Sequence, residues 1–277
     1  MVPFSFVLQP GESPEQAFAR LLRVFAWEAH RLRNDSGKDL PEAIHQLRLL
    51  IKRFRALLWF VRPSIPKLVE ARAKDTLRKA SLLLAAQRDA MVMRKTLEEV
   101  MRKSPDRVLQ QEAFSGDPAF RDRKKLSRLQ RAAAKKFLRA LQQVRQSGVR
   151  TDAPWPSPSE RLEQAFRAAK KAGEKALRKK KDNAFHDWRK KTKRLFYVLE
   201  LTQPAPKGRL ARMMEQTDKL QKKLGDYHDC VVTGTYLRKR KKTFPRSFTR
   251  ESLHLLEKRK HHLRKKVRKL ARSVKSP

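Results

Sequence analysis

Residues Glu42 to Pro63, EAIHQLRLLIKRFRALLWFVRP, carry two periodic patterns at once. Ile44, Leu47, Ile51, Phe54, Leu57, Leu58 and Val61 recur at helical spacing and mark a core-facing stripe. His45, Arg48, Lys52 and Arg55 recur at i, i+3, i+7 and i+10. At about 100° per residue they fall within an arc of roughly 80° beside that stripe. A solvated basic face with one stray histidine would look similar if it occurred once.

The pattern occurs twice. In Asn183 to Pro204, NAFHDWRKKTKRLFYVLELTQP, His186, Arg189 and Lys193 repeat His45, Arg48 and Lys52 in the same register. Phe185, Trp188, Leu195, Val198 and Leu199 repeat the core stripe, while Phe196 stands where the first copy has Arg55. A second pair of segments follows at nearly the same distance, Leu84–Asp89 (LAAQRD) and Leu224–Asp229 (LGDYHD). Two correlated matches in one order predict an internal duplication with a period near half the chain.

The charge says what such rows could meet. With 69 Lys and Arg against 28 Asp and Glu, the chain carries +41 at pH 7, so its natural partner is a polyanion. On composition alone nucleic acid ranks first, an anionic membrane second and free polyphosphate third. The single cysteine, Cys230, excludes an intramolecular disulfide and a Cys-rich zinc site, and its apolar surroundings mark it as a small core residue. The first residues, MVPFSFVLQPG, lack the basic start of a signal peptide, and no apolar run approaches about 18 residues. A cytoplasmic setting without a membrane span is the expectation.

Eight helices are predicted. Ser13-Pro14 opens the first, which fades by Asn34–Gly37; the motif helix follows with Pro41 early; Ser64 and Pro66 open a third that runs towards Met101. A break at Ser104-Pro105 and a start at Ser115–Pro118 give a fourth, ending near Gly148. Thr151–Ser159 (TDAPWPSPS) reads as a linker, after which the order repeats as Glu160 to Lys181, the second motif helix, Gly208 to Lys242 and Arg250 to Ser273. The expected architecture is all-α: two four-helix bundles, residues 13–148 and 160–273 with 149–159 between them, packed as one body spanning 1–277 around a cationic groove.

These motifs resemble the CHAD domain, an α-helical, histidine-bearing family that binds inorganic polyphosphate. Its pattern of an H-x-x-R-x-x-x-(R/K)-R-x-R helix and a later L-G-x-x-R-D-like segment, each present twice, matches His45, Arg48, Lys52, Arg53 and Arg55, then His186, Arg189, Lys193 and Arg194. The later motif departs at Ala85, which replaces glycine, and at His228, which stands where the first copy has Arg88. The resemblance covers essentially the whole chain. It implies a non-catalytic polyphosphate binder, associated with polyphosphate granules, that uses all these residues with Arg88 and His228 and needs no cofactor or metal.

Two other readings stay open. Non-specific nucleic-acid binding through counterion release needs only the charge, although Phe54, Trp59, Trp188, Phe196 and Tyr197 fit apolar faces better than stacking platforms. A metal-dependent phosphohydrolase is suggested by His186-Asp187 and His228-Asp229, but Asp187 falls outside the arc of the His186 row. Asp89 and Asp229 are expected to pair with neighbouring cations. The runs Lys179–Lys181, Arg238–Lys242 and His261–Lys266 read as solvated helix faces. No oligomeric state is read from the sequence.

Overall fold

The computed structural model describes residues 6–34, 39–102, 123–148, 155–203, 207–240 and 244–277, with the side chains of 86–91 and 123 outside the description. The expected stop at Gly37, the Ser104-Pro105 break, the start at Ser115–Pro118 and most of the linker therefore lie outside the described residues. Among the described residues the chain forms α1 (Pro14–Asn34), α2 (Leu40–Phe60), a 3₁₀ turn (Arg62–Ser64), α3 (Lys67–Leu83) and α4 (Ala85–Met101). These are followed by α5 (Arg123–Ser147), α6 (Pro158–Lys179), α7 (Asp182–Thr202), α8 (Gly208–Lys239) and α9 (Arg246–Ser273). The described residues contain no strand, so the protein is all-α.

Local chemistry sets several of these boundaries. Ser13 and Gln16 form a reciprocal cap on α1: the Gln16 N–H donates to Ser13 Oγ at 3.3 Å, and the Ser13 N–H to Gln16 Oε1 at 3.0 Å. The Asp39 carboxylate accepts the Glu42 N–H at 3.1 Å and starts α2, whose Pro41 needs no donor there. Gly148, at φ +62°, follows the end of α5.

Apolar faces then gather into two cores and a seam. The first is built by α1, α2, α3 and α5 around Phe25, Phe54 and Phe137, with ring centroids 5.2 Å (Phe25–Phe54) and 5.4 Å (Phe54–Phe137) apart. The second joins α4, α6, α7, α8 and α9 around Phe185, Trp188 and Tyr227. The seam packs Trp59 of α2 against Leu162, Phe166, Leu195 and Leu199. Trp155, just before α6, sits edge-on to Phe18 and Phe60, so this part of the expected linker is packed on the first core. Cys230 is buried in the second core, and burial pushes its thiol up to about 12.

One helix differs from expectation. The predicted third helix is broken at Leu84 (φ −100°, ψ 3°) into α3 and α4. No glycine or proline lies at the break. Its cause is tertiary: α3 packs on α5 within the first core, whereas α4 turns away and buries Leu97 and Met101 against α8 and α9 in the second. The matching stretch around Leu224 lies inside α8, which runs unbroken for 32 residues.

Candidate anion-binding site

The two motif helices became α2 and α7, and they touch. Arg53 of α2 grips Glu200 of α7 with both arms, Nε to Oε2 at 2.9 Å and Nη2 to Oε1 at 2.6 Å. Towards the other end of α2, Arg194 of α7 stands 5.0 Å over the Trp59 ring. As the number rises along α2 it falls along α7, so the helices run antiparallel. Arg53 and Arg194 are 141 residues apart, as are Trp59 and Glu200, so the two contacts are reciprocal. Such exchange is the contact pattern of a local two-fold axis.

This register fixes where the histidines lie. His45 is eight residues before Arg53, and His186 is fourteen before Glu200 and points the opposite way along the pair. At about 1.5 Å per residue, the two are separated by roughly 33 Å along the helix axes. The structure therefore does not bring His45 and His186 together; it sets one at each end of the pair.

Each end gathers its own neighbours. At the α2 end His45 is exposed, and half-buried Arg48 donates from Nη1 to the Leu84 carbonyl at 3.0 Å. That carbonyl stands at the α3–α4 break, and Arg48 ties the motif helix to it. The side chain of Arg88 lies outside the described residues. At the α7 end, the rings of His186 and His228 are 4.6 Å apart between α7 and α8. His186 Nδ1 is buried and has no hydrogen-bond partner among the described residues. Burial first, then the charges of Lys190 and Arg189, push the His186 imidazole below its ordinary value.

Between the ends, Lys52, Arg189 and Lys193 are half-buried and Arg55 is exposed. Arg53 and Arg194 point into the α2–α7 contact instead. The ion pair with Glu200 holds the Arg53 guanidinium above its ordinary value, and burial beside Glu200 raises the Tyr197 phenol to about 12. Phe54, Trp188 and Tyr197 are buried as expected, and Trp59 is 9% exposed. One residue of the basic runs is not solvated as expected: Arg264 donates to the Tyr227 hydroxyl at 3.0 Å, and just before that run Lys260 is buried against Asp182 at 3.1 Å. Sequence reasoning did not single out Arg62, Arg161 or Glu200. Glu200 comes to light through the pairing of α2 with α7, and Arg62 and Arg161 through the packing of α6 and the 3₁₀ turn around Trp59.

The fold and these rows define an all-helical protein with cationic residues ranged along an antiparallel helix pair. The CHAD domain profile matches residues 16–238, and the chain belongs to that family. Among solved structures it is similar to the crystal structure of the CHAD domain from the plant Ricinus communis, with 17% sequence identity and a TM-score of 0.58. That likeness covers 99% of this chain and 98% of the other, and it concerns the fold. Comparison with curated protein sequences finds no match. Among the described residues, no helix is long and apolar enough to cross a membrane, and no group of three or more His, Cys, Asp or Glu is placed to hold a metal ion.

Proposed function

We propose that the chain is a non-catalytic binder of inorganic polyphosphate, laid along one track formed by the two motif helices. The observation that carries this reading is the reciprocal, antiparallel contact of α2 with α7. A two-fold axis perpendicular to an antiparallel pair keeps equivalent rows on the same face. His45, Arg48, Lys52 and Arg55 then run head-on into Lys193, Arg189 and His186, with His228 beside the last, as one line of cations roughly 33 Å long. The same reciprocity supports an internal duplication.

Such a line suits a flexible chain of phosphates that has no bases to be read. Arginine offers forks, lysine point charges, and histidine gains a second donor when phosphate favours its charged form. Single-stranded nucleic acid is served less well, because Phe54, Trp59, Trp188 and Tyr197 are buried rather than offered as stacking platforms. Recruitment to polyphosphate granules follows as the cellular role.

The test is competition between polyphosphate and duplex DNA at matched phosphate concentration and near-physiological salt. Polyphosphate should win, with affinity rising with chain length and falling steeply with salt. Lys52→Ala/Lys193→Ala and Arg268→Ala/Lys269→Ala each remove two charges, one pair from the track and one from exposed α9 positions. Hydrogen-bonded charges contribute about 1.5–3 kcal/mol each, against a few tenths for exposed ones. The track variant should therefore lose at least about tenfold more affinity. Equal losses, or DNA winning, would sink the proposal.

A further inference from the structure

An open cleft of about 990 Å³ lies where the end of α2, the 3₁₀ turn and the starts of α3 and α6 meet. Its inner wall is Trp59 and Arg161. Arg161 is only 7% exposed, and its guanidinium lies 3.8 Å over the Trp59 ring. Nη1 donates to Gln164 Oε1 at 2.6 Å and Nη2 to the Trp59 carbonyl, while Nε is buried without a partner among the described residues. Arg194 covers the same ring, and exposed Arg62 and Lys67 stand at the rim. The acid lining the cleft is Glu70, which is paired with Lys74.

The opposite end of the helix pair shows what is missing. The residues 141 positions before Arg161 and Arg194 are Arg20 and Arg53. Arg20 is held by Glu12 at 2.8 Å and Arg53 by Glu200 at 2.6 Å. The positions related to those two acids by the same spacing, 141 after Glu12 and 141 before Glu200, hold Ala153 and Trp59. Arg20 and Arg53 are thus paired with carboxylates, whereas Arg161 and Arg194 have no carboxylate partner among the described residues. Burial and the nearby charges of Arg62 and Arg194 push the Arg161 guanidinium down to about 10. A buried cation in that state is stabilised by any anion that reaches it.

We propose that this cleft is a second anion-binding site, built to take a terminal phosphate group. Arg161 and Arg194 would neutralise it from the Trp59 side and Arg62 and Lys67 from the rim, with the amino end of α3 adding its dipole. Tetrahedral phosphate oxygens match guanidinium forks, and the cleft is open enough to admit either free phosphate or the end of a polymer. The proposal does not depend on which polyanion occupies the track.

Calorimetric titration with orthophosphate and with tripolyphosphate at about 0.15 M salt tests it. The decisive variant is Gln164→Glu, which is nearly isosteric, exposed, and gives Arg161 a carboxylate from within the chain. It should keep or raise the melting temperature and weaken phosphate binding at least tenfold. Arg62→Ala, at another exposed position, should weaken it at least threefold, whereas Lys52→Ala/Lys193→Ala should leave orthophosphate binding within about twofold. Orthophosphate binding with this pattern identifies free phosphate as the occupant. The same pattern with tripolyphosphate alone identifies the chain end. If neither probe binds, or both bind Gln164→Glu and Arg62→Ala as they bind the unaltered protein, the proposal is overturned.

Discussion

The hairpins α1–α2 and α6–α7 answer the same structural problem with different residues. In the second, Gly173 of α6 lies under Trp188 of α7, and a Cβ added to that glycine would stand 2.8 Å from the indole. The positions 141 residues earlier, the spacing that relates the two motif helices, hold Leu32 and Leu47, both buried in the first core. Two medium side chains in one hairpin correspond to none and a very large one in the other. The charged positions have diverged as well. Arg20 and Arg53 hold carboxylates, whereas Arg161 and Arg194 share an indole. The comparison teaches that two helix hairpins of similar layout can be filled and neutralised by quite different residues.

The volume exchange gives the largest expected effect. Trp188→Leu leaves a void and should cost about 2–4 kcal/mol. Gly173→Ala should cost about 1–3 kcal/mol by overpacking, reversing the roughly 1 kcal/mol that alanine ordinarily gains over glycine in a helix. Gly173→Leu/Trp188→Leu installs the first hairpin's pair and should be clearly more stable than Trp188→Leu alone in denaturant unfolding. A double variant no better than that single one would break the equivalence.

The clasp comes next. Glu200→Gln strips the partner from Arg53 and should cost about 1–2 kcal/mol. Arg194→Gln, at the position equivalent to Arg53, removes a cation crowded by Arg62 and should leave stability unchanged or raised. Chemical denaturation of both variants decides it; equal losses would mean that the two ends are energetically alike.

The smallest effect separates the ends by pH. Folding depresses the His186 pKa, with Arg189, Lys190 and Asp187 on its own helix and His228 on α8 as neighbours. Above about pH 6.5 the imidazole is neutral whether the chain is folded or unfolded, so its contribution to stability is intact. As pH falls below that, the unfolded chain takes up the proton first, and stability declines until the folded-state pKa is passed. Melting temperatures of the unaltered protein should therefore drop more between pH 7 and pH 5 than those of His186→Gln. Polyphosphate should reverse the sign, since it favours the charged ring and binds more tightly as pH falls. Parallel curves for the two proteins would remove His186 from the account.

Much of this was open to reading in the residues because its causes are local. The stripe from Ile44 to Val61, the Ser13–Gln16 cap and the Asp39-Leu40-Pro41 start each need only neighbours in sequence. The break at Leu84 does not. Its leucines and alanines favour helix, and the turn is imposed by the second core, which claims Leu97 and Met101. Arg48 fits the cationic row by spacing, but its bond to the Leu84 carbonyl depends on that same break. Trp59 continues an apolar pattern and is buried accordingly, and nothing local shows that two arginines from distant helices lie against its ring. Partners such as Arg53 and Glu200, 147 residues apart, become visible only once α2 and α7 are paired.

The path of α4 bears on how the chain is made. Its apolar residues Leu97 and Met101 are covered by α8 and α9, which leave the ribosome more than a hundred residues later. At roughly 5–20 residues per second, that interval lasts on the order of ten seconds. During it, the first core can close around Phe25, Phe54 and Phe137 while α4 presents a bare apolar side to solvent or to a chaperone. The nascent protein is therefore most exposed to self-association after its first half has folded, and it leaves that state only when its last helix arrives.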